Sequence, residues 1–290
     1  MTMNRRATAS TIGVVGLMSI ALLGCSSAVG SPPSAPSPTP GATASAAPAV
    51  TPSVAPLPSA VPSASSAPLA SSGPAALPVY QEGDPHPIDP GTYTSDLDDF
   101  FPGLTFTIPA GWSATESDDG ELSLHPDDRA GDALLLWKDM VAVVTNNRAG
   151  TVGQPLAGVD RTEPALVSWL TKTKDFEILA KPKPVTVAGI KGDQLTLTTS
   201  ATANFAFSDC PDNPRCSALF TDPEHWGPNY FAIGGKEVAR IFAATLPYES
   251  RQHTFFVVLD SISPEDLTAF ATEAQPIIDS LGLPASYVDN

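Results

Sequence analysis

Positive charge is scarce in this chain. Its 290 residues hold 15 Lys and Arg against 31 Asp and Glu, a net charge of −16. Recognition of nucleic acid needs a basic surface to neutralise phosphates, so that class of function is excluded. Adsorption to anionic lipid through a basic face is disfavoured on the same ground. Cysteine is nearly absent, with three residues, Cys25, Cys210 and Cys216. A zinc site at the Cys210–Cys216 segment would need two more soft ligands, and none is spaced nearby. Gly-x-Ser-x-Gly does not occur, and the four histidines (His86, His125, His225 and His253) sit in no nucleophile-like setting. Gly234-Gly235-Lys236 reads as a bare turn, not a phosphate cradle. No apolar run reaches the roughly 20 residues that a spanning helix prefers.

Charge is also missing from one long segment. Residues 26–78 contain no acid, no base and no aromatic residue, and thirteen prolines lie between Pro32 and Pro78. Too little apolar side chain is available there to offset the entropy of ordering. The segment is expected to be a disordered, semi-rigid stalk rich in Pro, Ala and Ser. All the acidic residues and 13 of the 15 basic ones fall in 79–290, which therefore carries −18. That length fits one medium domain.

The first 24 residues read as an address. Arg5 and Arg6 precede an apolar run from Ile12 to Leu23, the pattern of a signal peptide. The run closes in Leu22-Leu23-Gly24-Cys25, which resembles the lipobox of bacterial lipoproteins. That resemblance implies a diacylglyceryl group on Cys25, cleavage before it, and a chain held on the outer face of the cytoplasmic membrane by lipid alone. The expected organisation is a signal peptide at 1–24, a linker at 25–78 and a globular domain at 79–290. If Cys25 is acylated, Cys210 and Cys216 remain as an even pair. The intervening Pro-Asp-Asn-Pro-Arg is rich in turn formers, so a disulfide between them is expected.

Within 79–290, period-two alternation predicts strands at Leu104–Ile108, Trp112–Thr115 and Glu121–Leu124. Apolar runs predict further strands at Leu134–Trp137 and Val141–Thr145. Thr162-Glu163-Pro164 predicts a helix start, with the helix running to about Lys174. Strands follow at Phe176–Leu179, Val185–Ala188 and Gln194–Thr199, and a long hairpin at Glu237–Leu246 and Thr254–Ser261. The sharpest signal is Ser263-Pro264-Glu265-Asp266, an N-cap with a first-turn proline and acids. Behind it Leu267, Phe270, Ala271, Ala274, Ile277, Ile278 and Leu281 make one apolar face, and Pro276 predicts a kink. A one-faced helix must lie on a sheet, so the expected class is α+β with a mostly antiparallel sheet.

Thr105-Phe106-Thr107-Ile108-Pro109-Ala110-Gly111-Trp112 is similar to the opening of PsbP-like and Mog-like domains. The Val185–Ile190 hairpin and the Ile277-Ile278-Asp279-Ser280-Leu281 ending also resemble that family. The resemblance covers about 100–283. It implies an α/β/α sandwich, a central antiparallel sheet flanked by helices, and accessory or partner-binding roles without enzyme activity.

Site candidates follow from residue type and position. His225, Trp226, Tyr230 and Phe231 lie in a loop-like aromatic segment suited to contact with a protein or glycan of the cell envelope. Asp209, Asp212, Asp222 and Glu224 gather oxygen ligands near the cysteine pair, but no stretch matches a calcium loop. No cofactor or metal is therefore expected. The acidic clusters Asp96, Asp98 and Asp99, Asp118, Asp119 and Glu121, and Asp127 and Asp128 read as solvated turns. The expected function is a lipid-anchored, non-catalytic binding or accessory module. Two alternatives stand beside it: a hydrolase of wall or glycan material built on paired carboxylates, and a calcium-dependent adhesion or stability module.

Overall fold

A computed structural model of the chain describes residues 73–78, 85–95, 100–118, 121–145, 153–203, 215–224, 230–248 and 251–288. The signal peptide, all but the last six residues of the stalk, Cys25 and Cys210 lie outside the described residues. In chain order the strands run from β1 (Ala75–Ala76), β2 (His86–Pro87), β3 (Gly91–Thr94) and β4 (Thr105–Ile108) to β5 (Trp112–Asp118), β6 (Glu121–Pro126), β7 (Ala133–Lys138) and β8 (Val141–Ala142). Helix α1 (Glu163–Lys172) intervenes. Strands β9 (Phe176–Val187), β10 (Ile190–Thr199), β11 (Cys216–Thr221), β12 (Phe231–Gly234), β13 (Val238–Tyr248) and β14 (Arg251–Ser261) follow. Helices α2 (Pro264–Asp279) and α3 (Ala285–Val288) close the chain.

Eight strands form one antiparallel sheet in the order β2-β5-β6-β7-β14-β13-β10-β9. Its central strands are apolar on both faces, as in Ala133–Trp137 of β7 and Phe255–Leu259 of β14. Such strands need a cover on each side. On one face Leu134, Leu136, Phe242, Phe255, Val257 and Leu259 share a core with Leu267, Phe270, Ala274 and Ile277 of α2 and with Phe106 and Ile108 of β4. On the other, Leu135, Phe256, Val258, Leu197 and Ile241 share a core with Leu166, Trp169 and Leu170 of α1 and with Phe220 and Phe231 of β11 and β12. Each cover is therefore one helix plus one small sheet, β1-β3-β4 or β12-β11-β8.

This overturns the expected α/β/α sandwich. Of the described residues 49% are strand and 17% helix, and half of each cover layer is itself β. The shortfall lies in strands that the sequence reading passed over. Gly91–Thr94, Cys216–Thr221 and Phe231–Gly234 are short and flanked by Pro, Asn and Asp, so they read as loop. Pairing with β4 and β8 makes them strand.

Helix α2 forms as its sequence dictates. The Ser263 hydroxyl accepts the Asp266 N–H at 3.2 Å and donates to the Asp266 carboxylate at 2.5 Å. Leu267, Phe270, Ala271, Ala274 and Ile277 are buried, the large ones stabilising by about 1.5–3 kcal/mol each. The helix continues through Pro276 to Asp279. Strand β9 departs from expectation. Lys181-Pro182-Lys183-Pro184 read as a break between two strands, yet Phe176–Val187 is one strand with a register shift opposite Gln194–Leu197. Prolines are tolerated because β9 is an edge strand, where half the N–H groups have no ladder partner. The β9–β10 turn is Ala188-Gly189, both at positive φ (52° and 79°), the two-residue hairpin turn.

Candidate functional site

The aromatic segment singled out in sequence divides. His225 and Trp226 lie outside the described residues. Tyr230 and Phe231 are in the interior, 1% and 4% exposed. The Phe231 ring meets Trp137 edge-on at 4.8 Å between centroids. Tyr230 packs over Gly153 so closely that a Cβ there would stand 2.0 Å from the ring. Of the weak metal candidates, Asp209 and Asp212 are outside the described residues. Asp222 is buried and its carboxylate accepts the Glu224 N–H at 2.9 Å. Glu224 is exposed and pairs with Arg161 at 3.1 Å. Among the described residues no three His, Cys, Asp or Glu side chains are arranged to hold a metal ion. Cys216 is fully buried at the start of β11.

A site that the sequence reading missed lies beside α2. Along β13, Val238, Arg240, Phe242 and Ala244 face α2 while Ala239, Ile241 and Ala243 face α1. Arg240 is thus a cation within Val238–Ala244, whose other residues are buried on both faces. It stands directly across from Thr196 of β10 and Leu259 of β14. A shallow cavity of about 450 Å³ opens above it, walled by Thr268, Thr272, Gln275 and Asp279 of α2. Those four recur at steps of four, three and four, so they form one polar stripe beside the buried one. Burial pushes the Arg240 guanidinium below its ordinary pKa, because leaving water disfavours the charged form. The Thr272 hydroxyl donates to the Thr268 carbonyl at 2.9 Å, and the Gln275 amide to the Asp279 carboxylate at 2.7 Å.

A second cluster sits on the α1 face. Glu163 opens α1, and its N–H donates to the Thr245 hydroxyl at 2.9 Å. Burial, followed by the charge of Asp193 and a side-chain hydrogen bond to it, raises the Glu163 carboxyl to about 7. Near the ends of β13 and β14, His253 Nδ1 lies 2.6 Å from Asp139 Oδ2, and Asp139 also accepts the Thr254 N–H at 2.9 Å. A retaining glycosidase needs its carboxyls about 5–5.5 Å apart, with the sugar between them. Glu163 and Asp193 are instead hydrogen-bonded to each other, which leaves no such gap. Of the acidic clusters noted in sequence, Asp127 accepts the Ser113 hydroxyl at 2.5 Å and Glu121 is buried.

Neither a protein-family model nor a curated protein matches the chain. Among solved structures, LpqN of Mycobacterium tuberculosis, described as involved in cell envelope biogenesis, is similar at 10% identity and a TM-score of 0.37. The match covers 63% of this chain and 84% of that one. Cyanobacterial PsbP (CyanoP) from Synechocystis is similar at 11% identity and a TM-score of 0.35, covering 75% of this chain and 100% of that one. A Bacteroides thetaiotaomicron protein matches at 8% identity and 0.29, over 62% and 45%. PsbP thus recurs as a neighbour, but a likeness at these scores carries no argument for fold or function.

Proposed function

We propose that the chain is a lipid-anchored accessory module of the cell envelope, acting by binding and not by catalysis. It is held at the outer face of the cytoplasmic membrane through Cys25, and its partner is a protein or glycan of the envelope. The observation that carries this reading is the order of the N-terminal sequence: two arginines, an apolar run, Leu22-Leu23-Gly24-Cys25, and then an uncharged stalk. A stalk of some fifty residues spans roughly 40 Å as a flexible coil, far enough to lift a domain clear of the lipid headgroups. The charge of 79–290 supports the same picture, because an acidic domain is repelled by anionic lipid and needs a covalent tether. A Cys210–Cys216 disulfide fits an oxidising compartment.

The test is metabolic labelling of the full chain with an alkyne fatty acid in a bacterium that processes lipoproteins. The wild type should carry label and sediment with membranes, and Cys25→Ala should lose both properties. Label retained in Cys25→Ala, or an unlabelled wild type cleaved elsewhere, overturns the anchor. Crosslinking on intact cells then reports the partner, and the intact mass of the secreted form reports the disulfide as the loss of two hydrogens.

A further inference from the structure

We propose that the groove between α2 and strand β13 is a binding site for a small ligand bearing one oxyanion, a carboxylate or a phosphate monoester, which pairs with Arg240. The inference is independent of the lipid anchor and stands on the groove alone. A domain carrying −18 repels anions at long range, so any anion site on it requires a local cation not already engaged. Several of its cations are engaged. Arg129 pairs with Glu273 at 2.7 Å, Arg161 with Glu224 and His253 with Asp139, and Lys138 stands over the Phe101 ring at 5.7 Å. Arg240 makes no hydrogen bond or ion pair among the described residues, and it is half-buried.

A guanidinium that has already lost part of its water gains more from an oxyanion than a solvated one does. The fork geometry allows two parallel N–H···O bonds, and the surrounding protein weakens screening. The groove supplies further recognition. Thr268 and Thr272 place hydroxyls on the α2 wall. Asp279 lines the same groove. Its carboxylate disfavours a second anionic group, so the ligand carries one oxyanion and otherwise neutral hydroxyl or amide groups. The frame is rigid on both sides, a capped helix and the middle of a sheet.

The experiment is titration calorimetry of the full chain in detergent with three probes of one size: glucuronate, glucose 6-phosphate and neutral glucose. Binding of either anion but not of glucose is expected, and the stronger of the two identifies the oxyanion. Arg240→Gln should weaken that binding about ten- to a hundredfold, the loss of a hydrogen bond to a charged group. Arg240→Lys should restore part of it. Asp279 is exposed on the helix, so Asp279→Asn leaves the core untouched and should tighten binding a few-fold by removing a like charge. It keeps the idea testable if Arg240→Gln fails to fold. Equal binding of all three probes, no binding of either anion, or affinities unchanged in the variants would overturn the proposal.

Discussion

At the scale of single residues, the carboxyl of Glu163 makes the clearest pH prediction. Its ordinary value is 4.5 and in the fold it rises to about 7. The folded state therefore holds a proton that the unfolded chain has lost between those values. Its stabilising contribution is complete below about pH 4.5 and is lost as pH rises through about 7. Glu163→Gln keeps a hydrogen-bond donor and removes the titration, so the unfolding midpoint should depend less on pH across that window and be higher at pH 8. An unchanged pH profile would overturn the raised Glu163 carboxyl. Gly153 makes a steric prediction. It sits at φ 76° with the Tyr230 ring where a Cβ would be. Gly153→Ala combines a left-handed backbone with overpacking and should cost more than about 2 kcal/mol in chemical denaturation. Neither residue was legible in sequence. Glu163 looks like any first-turn acid, and Asp193, 30 residues later, sits in a strand. Arg240 did leave a trace, a charge inside Val238–Ala244 where every neighbour is apolar, but a strand's two faces are known only once both covers are.

At the scale of elements, local chemistry was readable where it was strong. Ser263 was expected to cap α2, and it does so through Asp266. Ser263→Ala should therefore cost about 1 kcal/mol, read as a drop in midpoint with no change in denaturant slope. A loss below about 0.3 kcal/mol would mean that packing of Phe270 and Ile277 alone sets this helix end. The β13–β14 hairpin was equally visible because both strands are long and apolar. Elements whose identity depends on a distant partner were not. Cys216–Thr221 is strand because it lies between Phe231–Gly234 and Val141–Ala142, and nothing local announces either pairing. Proline misled at β9, since its meaning depends on whether a strand lies at an edge, which is a property of the assembled sheet. Those misreadings share one cause, and they account for the layers expected as helix that are partly β.

At the scale of the whole molecule, the dominant quantity is charge. A net −18 on 79–290 is self-repulsive, and that repulsion opposes the compact state. An exposed ion pair such as Arg161–Glu224 offsets little of it. Raising salt from about 0.01 to 0.15 M shortens the screening length from about 30 to 8 Å. The unfolding midpoint of the full chain should therefore rise with sodium chloride. A flat or falling midpoint would mean that favourable pairs outweigh the excess of like charge. The same titration separates two ideas about function. If acidic loops were built to hold calcium, millimolar calcium would raise the midpoint beyond a sodium control of equal ionic strength, because specific binding to the native state adds stability by mass action. If the charge serves instead to keep the domain soluble and off anionic lipid, calcium and sodium should act alike at matched ionic strength. The second outcome is expected. It would fit the proposed tether at Cys25, because an acidic surface does not adsorb to anionic lipid.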